Sequence, residues 1–297
     1  MSHDLDIALL RTFVAIVDTG GLTSAGKRVG RTQPAVTHQM KRLEEIVGHT
    51  LFDSNRRHLS LTRDGDVLLE FARAMLRLND EARERFAAPD IAGHVTLGTP
   101  DLYASYILPD VLGSFSRSHP NVEIQLRCTR SIHLHAALER GEIDIALMTN
   151  QPEFRRGELV RLEPLVWVAG AGSEPERRKP LPLAGLPQGS VYRHHALEAL
   201  GAAGLQWSVR WVCDSTAGLR AAVLAGLAVS VFPHCAVTPG VRCLDESDGL
   251  PKLPPIELVM HRKHEGVSDA AEQLAQYIAA QLGDKPARGP SPALADK

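Results

Sequence analysis

Apolar residues recur at helical spacing over the first ninety positions and switch to short strand-like clusters after them. Ile7, Leu10, Phe13, Val14 and Val17 make a first helical stripe, closed by Asp18-Thr19-Gly20-Gly21. Leu22 to Val29 is a second, short helical pattern of mostly small residues. After a three-residue break, Val36, Met40, Leu43 and Val47 stand at i, i+4, i+7 and i+11, the buried stripe of a third helix. Its other face carries Gln33, Thr37, His38, Lys41 and Arg42. Thr32 and Pro34 predict where this helix starts: the Thr32 hydroxyl can accept an orphan amide hydrogen bond, and Pro34 has no amide to lose. Gly48 is placed to stop it. Leu51-Phe52 and Leu59-Ser60-Leu61 predict two short strands around a turn that carries Arg56 and Arg57. Asp64 to Phe86 reads as one long helix. Leu68, Phe71, Met75, Leu78 and Ala82 alternate in steps of three and four along it, an apolar seam that wants a partner helix.

Pro89-Asp90-Ile91-Ala92-Gly93 breaks the chain, and strands then alternate with helices, the mark of parallel α/β units. Strands are expected over 94–98, 122–127 and 143–148, with helices over 108–118 and 134–140. A second set has strands over 165–169, 190–192, 207–213 and 229–232, a loop over 170–189, and helices near Leu197 and over 215–225. A strand over 256–261 and a helix over 270–282 close the pattern. The tail, 284–297, is Pro, Ala, Gly and charge, so disorder is expected there.

Length changes this picture little: 297 residues call for two or more domains. Charge changes it more. The formal net charge is −2, yet residues 20–63 hold eight Lys or Arg against three acids, leaving 25 against 32 elsewhere. Such asymmetry is what an electrostatic footprint confined to one module produces. No signal-peptide pattern and no apolar run of about 18 residues appears, so a cytoplasmic protein without membrane contact is expected. The four cysteines, Cys128, Cys213, Cys235 and Cys243, lack the paired spacing of a zinc site.

Two helices joined by a Gly-containing turn, the second polar on its free face, describe a helix-turn-helix that enters a DNA major groove. Gln33 can pair bidentately with adenine, Thr32 and Thr37 offer a hydroxyl to a base edge or phosphate and a methyl to thymine, and Lys41 and Arg42 suit guanine or phosphate, with His38 on the same DNA-facing side. An ordinary charge-faced surface helix is the plainer alternative. A hairpin tip with Arg56 and Arg57 suits a phosphate backbone or minor groove.

The ordered run Leu10-Arg11-Thr12-Phe13, Gly21-Leu22-Thr23-Ser24-Ala25, Thr32 to Glu44, Gly48, Leu51-Phe52 and Leu61-Thr62-Arg63-Asp64-Gly65 closely resembles the N-terminal domain of LysR-type transcriptional regulators. Looser matches continue the resemblance: Leu108-Pro109, His119-Pro120, Glu142-Ile143-Asp144-Ile145-Ala146, Ala225-Gly226-Leu227 and Phe232-Pro233. Gly26 departs from the family's usual alanine and should cost its helix up to about 1 kcal/mol. Asn55 beside the paired arginines is a second departure. The resemblance implies an α+β multidomain protein: a winged helix-turn-helix over 1–63, with Pro34 at the start of its reading helix, a linker and dimerisation helix over 64–88, and a bilobed, periplasmic-binding-protein-like effector domain over 92–283. The lobes are expected as 92–162 plus 268–283, and 163–267. It also implies a homodimer or homotetramer on double-stranded DNA, a small-molecule effector, and RNA polymerase as a further candidate partner.

In open α/β sheets ligands bind beyond the strand ends, where helix N-termini expose amides. Three such ends are readable: Thr99-Pro100-Asp101, Thr129-Arg130-Ser131, and Asp214 with Ser215 and Thr216. Hydroxyls with Arg130 favour a carboxylate effector. Asp101 would repel one unless Arg130 neutralises it or the ligand is a zwitterion such as an amino acid. For each hydroxyl alone, simple helix capping is the plainer reading. No cofactor or metal is expected. Two further readings exist. The pairs His133/His135, His194/His195 and His234/Cys235 invite an enzyme, but no nucleophile elbow, phosphate loop or zinc-protease motif accompanies them. Cys235 and Cys243 could instead form a redox-sensing pair.

Overall fold

The structure, a computed structural model, describes residues 4–53, 59–87, 91–154 and 157–283. Arg56, Arg57, Asn55 and the expected disordered tail lie outside the described residues. The chain forms two compact units.

The first unit holds α1 (Ile7–Thr19), α2 (Leu22–Val29), α3 (Gln33–Val47) and α4 (Arg63–Ala87). Glycine ends each of the first three helices: Gly20, Gly30 and Gly48 are left-handed at φ 68°, 66° and 77°. One core joins Leu9, Leu10, Phe13 and Ile16 of α1, Ala25 of α2, Val36, Met40 and Leu43 of α3, Leu51, and Leu68, Ala72 and Leu76 of α4. Ile7, Val14, Val17 and Val47 of the expected stripes lie at its margin, only partly buried. The two expected strands reduce, among the described residues, to one antiparallel bridge, Phe52 facing Leu61. Asp18 ties three helices together, accepting from Arg73 of α4 at 2.8 Å and pairing with Arg28 of α2 at 3.5 Å.

Two expectations about helix chemistry change. Thr32 is the N-cap residue of α3, but its side chain makes no capping bond; Pro34 in the first turn sets the start. Gly26 has a steric reason: a Cβ there would stand 2.6 Å from the Arg31 carbonyl oxygen, where the turn folds back on α2. The expected seam of α4 also splits. Leu68 is buried and Met75 half-buried in the unit's own core, whereas Phe71, Leu78 and Ala82 are exposed together with Val67 and Phe86. The packing face follows Leu68, Ala72 and Leu76, one step off the seam.

The second unit begins at β1 (Gly93–Thr99) and contains α5 (Asp101–Tyr106), β2 (Val122–Cys128), α7 (Ser131–Glu139), β3 (Ile145–Thr149), β4 (Glu158–Glu163), β5 (Leu165–Gly170), β6 (Leu181–Gly185), α8 (Val191–Ala202), β7 (Trp207–Val212), α9 (Thr216–Leu224), β8 (Ser230–Pro233), β9 (Val241–Leu244), β10 (Ile256–Arg262) and α10 (Asp269–Gly283); α6 (Leu108–Ser118) follows α5. The first lobe is built on a sheet of order β2-β1-β3-β10-β4. β1 runs parallel to β2 and β3, but β10 is antiparallel to both its neighbours. The second lobe combines the antiparallel set β8-β5-β9 with the parallel pair β6-β7, joined by a Leu183–Val229 bridge. Purely parallel pairing is therefore corrected. The lobe boundary expected at 268 comes too late, because β10 already belongs to the first sheet. α8 replaces the strand expected over 190–192; Ser190 caps that helix instead, accepting from Arg193 N–H. The loop over 170–189 contains β6, and α5, β4 and β9 were not expected.

Asp144 holds the first lobe together. Its carboxylate accepts from the Thr96 amide at 2.8 Å and the Lys263 ammonium at 2.6 Å, joining β1 to the chain after β10. No helix among the described residues is long and apolar enough to cross a membrane.

Candidate functional site

Two sites emerge, one in each unit. In the first, burial of Val36, Met40 and Leu43 turns the opposite face of α3 outward, so that Gln33, Pro34, His38, Lys41 and Arg42 are exposed with Thr32, and Thr37 is half-buried. Thr37 Oγ1 donates to the Gln33 carbonyl at 3.1 Å, within the helix. Thr23 Oγ1 of α2 donates to Gln33 Oε1 at 3.1 Å, which orients the Gln33 amide while leaving its NH2 uncommitted. The polar face of α3 is thus held in place from behind by Thr12, whose hydroxyl donates to Gln39 Oε1 at 2.9 Å, and from α2 by Thr23. Periodicity showed the face; these fixing bonds, between residues 10 and 27 positions apart, it could not.

In the second unit the three strand ends meet across the two lobes, but not as free ligand groups. The Asp101 carboxylate, at the start of α5, accepts from the Thr216 backbone N–H at 3.0 Å and from the Thr216 hydroxyl at 3.1 Å. It sits at the N-terminus of α9, where the helix dipole favours an anion. The neutralising partner expected for Asp101, Arg130, points elsewhere: it donates to the Gln188 carbonyl at 2.8 Å and lies 3.6 Å from Asp214. Ser215 Oγ accepts from the Ala217 N–H at 3.2 Å, a helix cap and no more. Ser131 Oγ accepts from the Thr149 N–H at 3.3 Å, and the Thr129 N–H donates to the Thr99 carbonyl at 3.1 Å. Thr99 is fully buried, and its hydroxyl has no hydrogen-bond partner among the described residues. Pro100 precedes α5 as its N-cap residue.

The sequence reading missed three residues that bind the lobes to each other. Tyr103 of α5 is fully buried; its hydroxyl lies 2.5 Å from Thr149 Oγ1 and 2.9 Å from the Tyr192 hydroxyl of α8. Burial pushes both phenols far above their ordinary range. They are therefore neutral hydrogen-bonding groups at any ordinary pH. A six-residue helix such as α5 carries too few periodic positions to be read, and this hid Tyr103.

The redox pair is not favoured. Burial and then the Glu163 carboxylate push the Cys235 thiol up, and burial raises Cys243, whereas a reactive thiol needs a depressed value. Cys243 pairs in register with Val168 of β5, and Cys235 follows the Pro233 that pairs with Leu165, on the other flank of that strand. Strand spacing and rise put them on the order of 10 Å apart or more, too far for a disulfide. Of the paired histidines, His135 stacks on Phe154 at 4.1 Å, and His194 is exposed, 3.6 Å from Glu198 one turn along α8.

Two family models match the chain. One, described as a bacterial regulatory helix-turn-helix protein of the lysR family, covers residues 7–66, and the other, the LysR substrate binding domain, covers 89–283. The HTH-type transcriptional regulator DgdR of Burkholderia cepacia is 34% identical over 282 residues, 95% of this chain and 96% of that protein. PecT of Dickeya dadantii is 37% identical over 251 residues, 84% and 79% of the two chains. Among solved structures, HinK, a LysR family transcriptional regulator from Pseudomonas aeruginosa, superposes with TM-score 0.54 at 22% identity, covering 94% of this chain and 99% of that one. DarR of Vibrio fischeri, solved in complex with DNA, gives 0.53 at 16%, over 93% and 99%. The solved structures bear on the fold, and the matched segments fall on the helix-turn-helix with its outward α3 and on the two-lobed unit with its cross-bonded cleft: the chain belongs to the LysR family of DNA-binding transcriptional regulators, with a C-terminal effector-binding domain.

Proposed function

We propose that two copies of this chain, or a pair of such dimers, associate along the exposed stripe of α4 and present two copies of α3 to successive major grooves of an operator. Gln33 reads a base edge, His38, Lys41 and Arg42 hold base edges or phosphate, and Arg56 and Arg57 grip the backbone beside them. A small carboxylate or zwitterion enters the cleft between the lobes and exchanges the bonds made there by Asp101, Arg130 and Thr216. That exchange alters how the heads are held and what they offer to RNA polymerase. Operator binding then changes effector affinity by the same factor.

One observation carries the DNA reading. His38, Lys41 and Arg42 are exposed without a hydrogen bond or ion pair to other described residues, on a helix whose opposite face is fully buried at Val36 and Leu43. Gln33→Ala is the direct test. Loss of a bidentate base contact costs about 1–3 kcal/mol of discrimination, so affinity for an operator should fall about 10- to 100-fold with little change on random duplex. Equal losses on both would remove Gln33 as a reader. Arg56→Ala should instead weaken both equally and flatten the salt dependence.

A further inference from the structure

Gln33 opens α3 beside the start of α2, and the way round its amide faces decides what it can read. A free glutamine amide presents an acceptor and a donor side by side, the pattern that matches adenine N6 and N7. Here the amide is not free. Thr23, the second residue of α2, donates from Oγ1 to Gln33 Oε1 at 3.1 Å. Thr19 and Thr37 show what a threonine with helix behind it does instead: each donates to the carbonyl four residues back, at 2.8 and 3.1 Å. Thr23 has no such turn behind it in α2, and its hydroxyl makes no other hydrogen bond among the described residues.

Neighbouring hydroxyls do not compete for the Gln33 amide. Thr37 bonds the Gln33 backbone carbonyl, and the Thr32 side chain makes no capping bond. Oxygen and nitrogen leave the amide carbon on opposite sides, so an Oε1 drawn to α2 turns Nε2 away from it. Nε2 has no partner among the described residues, and Gln33 is exposed. What it offers a base is therefore a pair of N–H donors. Major-groove edges then rank themselves. Guanine presents two acceptors, N7 and O6; adenine presents N7 beside an N6 donor, thymine only O4, and cytosine a donor that opposes Nε2. Adenine could still use both ends of the amide only if Oε1 faced α2 and the base at once.

We propose that Thr23 is a positioning residue that makes Gln33 a reader of guanine: with Oε1 held by α2, Nε2 addresses guanine N7 and O6. Without that bond the amide is free to turn and adopt the adenine pattern. The inference rests on Gln33 being the base reader proposed above, and adds which base it reads and which residue sets the choice.

Sites selected from a random duplex library by the full chain test it, followed by titration of four duplexes that differ at the base pair whose preference Gln33→Ala erases. The wild type should favour guanine over adenine there by about fivefold, the worth of one hydrogen bond. Thr23→Val, of similar shape at an exposed position, should bring adenine level with guanine or above it. Thr23→Ser keeps the donor and should restore the wild-type order. A threonine that merely supported the turn would, when replaced, weaken all four duplexes by one common factor, and that result overturns the proposal. So does a wild type that favours adenine, thymine or cytosine at this pair, or a serine variant that behaves as valine does. A Gln33→Ala protein that erases no preference removes the reader and this inference with it. A preference that Gln33→Ala erases and Thr23→Val leaves untouched overturns the inference alone.

Discussion

The outer face of α3 and the cleft of the second unit are both rich in polar side chains, and they treat them in opposite ways. Lys41 and Arg42 stand exposed without partners among the described residues, while Asp101, Arg130, Tyr103 and Tyr192 are bonded to the facing lobe. The difference follows from what each site meets. A polyanion recruits solvated cations by releasing counterions, so a reading face gains by leaving them free. A cleft in a low-dielectric setting cannot leave its groups unpaired at reasonable cost, so it closes on itself until a ligand offers replacement bonds. In the function proposed above, binding is therefore addition at the first site and exchange at the second.

Substitutions can break this contrast, and the largest effect should come from the committed side. Asp144→Asn leaves Lys263 short of its partner in a mostly buried pair, and should cost about 2–3 kcal/mol at pH 7, read from the urea midpoint. Burial alone would raise the Asp144 carboxyl, but the Lys263 ammonium and the Thr96 amide outweigh it and hold it below the ordinary value. A carboxyl depressed by folding stabilises fully above its unfolded value, near pH 4, and loses that contribution as pH falls through the folded one. Acid should therefore narrow the gap between wild type and variant; a gap that persists at pH 2 would count against the pairing. Asp101→Asn comes next, at about 1–2 kcal/mol in thermal unfolding, from the lost charge at the N-terminus of α9 and one weakened acceptor. Unchanged melting would mean that the bonds between lobes merely replace bonds to water. Smallest in stability are Lys41→Ala and Arg42→Ala, within about 0.5 kcal/mol, although each should lower the salt slope of DNA binding by about 1 where it meets a phosphate. A destabilisation above 1 kcal/mol from either would show that the reading face is committed after all.

The same contrast decides what was legible in the sequence. α3 and α4 could be read because a helix buried on one side writes its burial at fixed spacing, and the polar face of α3 is simply the remainder of Val36, Met40 and Leu43. The cleft could be placed only at strand ends. That Asp101 bonds Thr216, or that Tyr103 meets Tyr192 89 positions away, depends on two lobes folding face to face, and no local pattern records it. The seam of α4 could be read only in part for a related reason: Leu68, Phe71, Met75 and Leu78 satisfy heptad spacing whichever neighbour they serve, and Leu68 packs into the core shared with α1. Short or fully buried elements such as α5 and β6 lack enough alternating positions to declare themselves.

Lobe order in the chain has a consequence for synthesis. Residues 164–255 form the second lobe as one uninterrupted stretch, whereas the first lobe receives β10 between β3 and β4 only afterwards. On the ribosome the later-coded lobe can therefore complete itself first, while β3 and β4 wait with bare edges for the strand that separates them. A pause or truncation between residues 255 and 262 would strand a nascent chain with a finished insert and a gapped sheet, the state in which it is most exposed to aggregation.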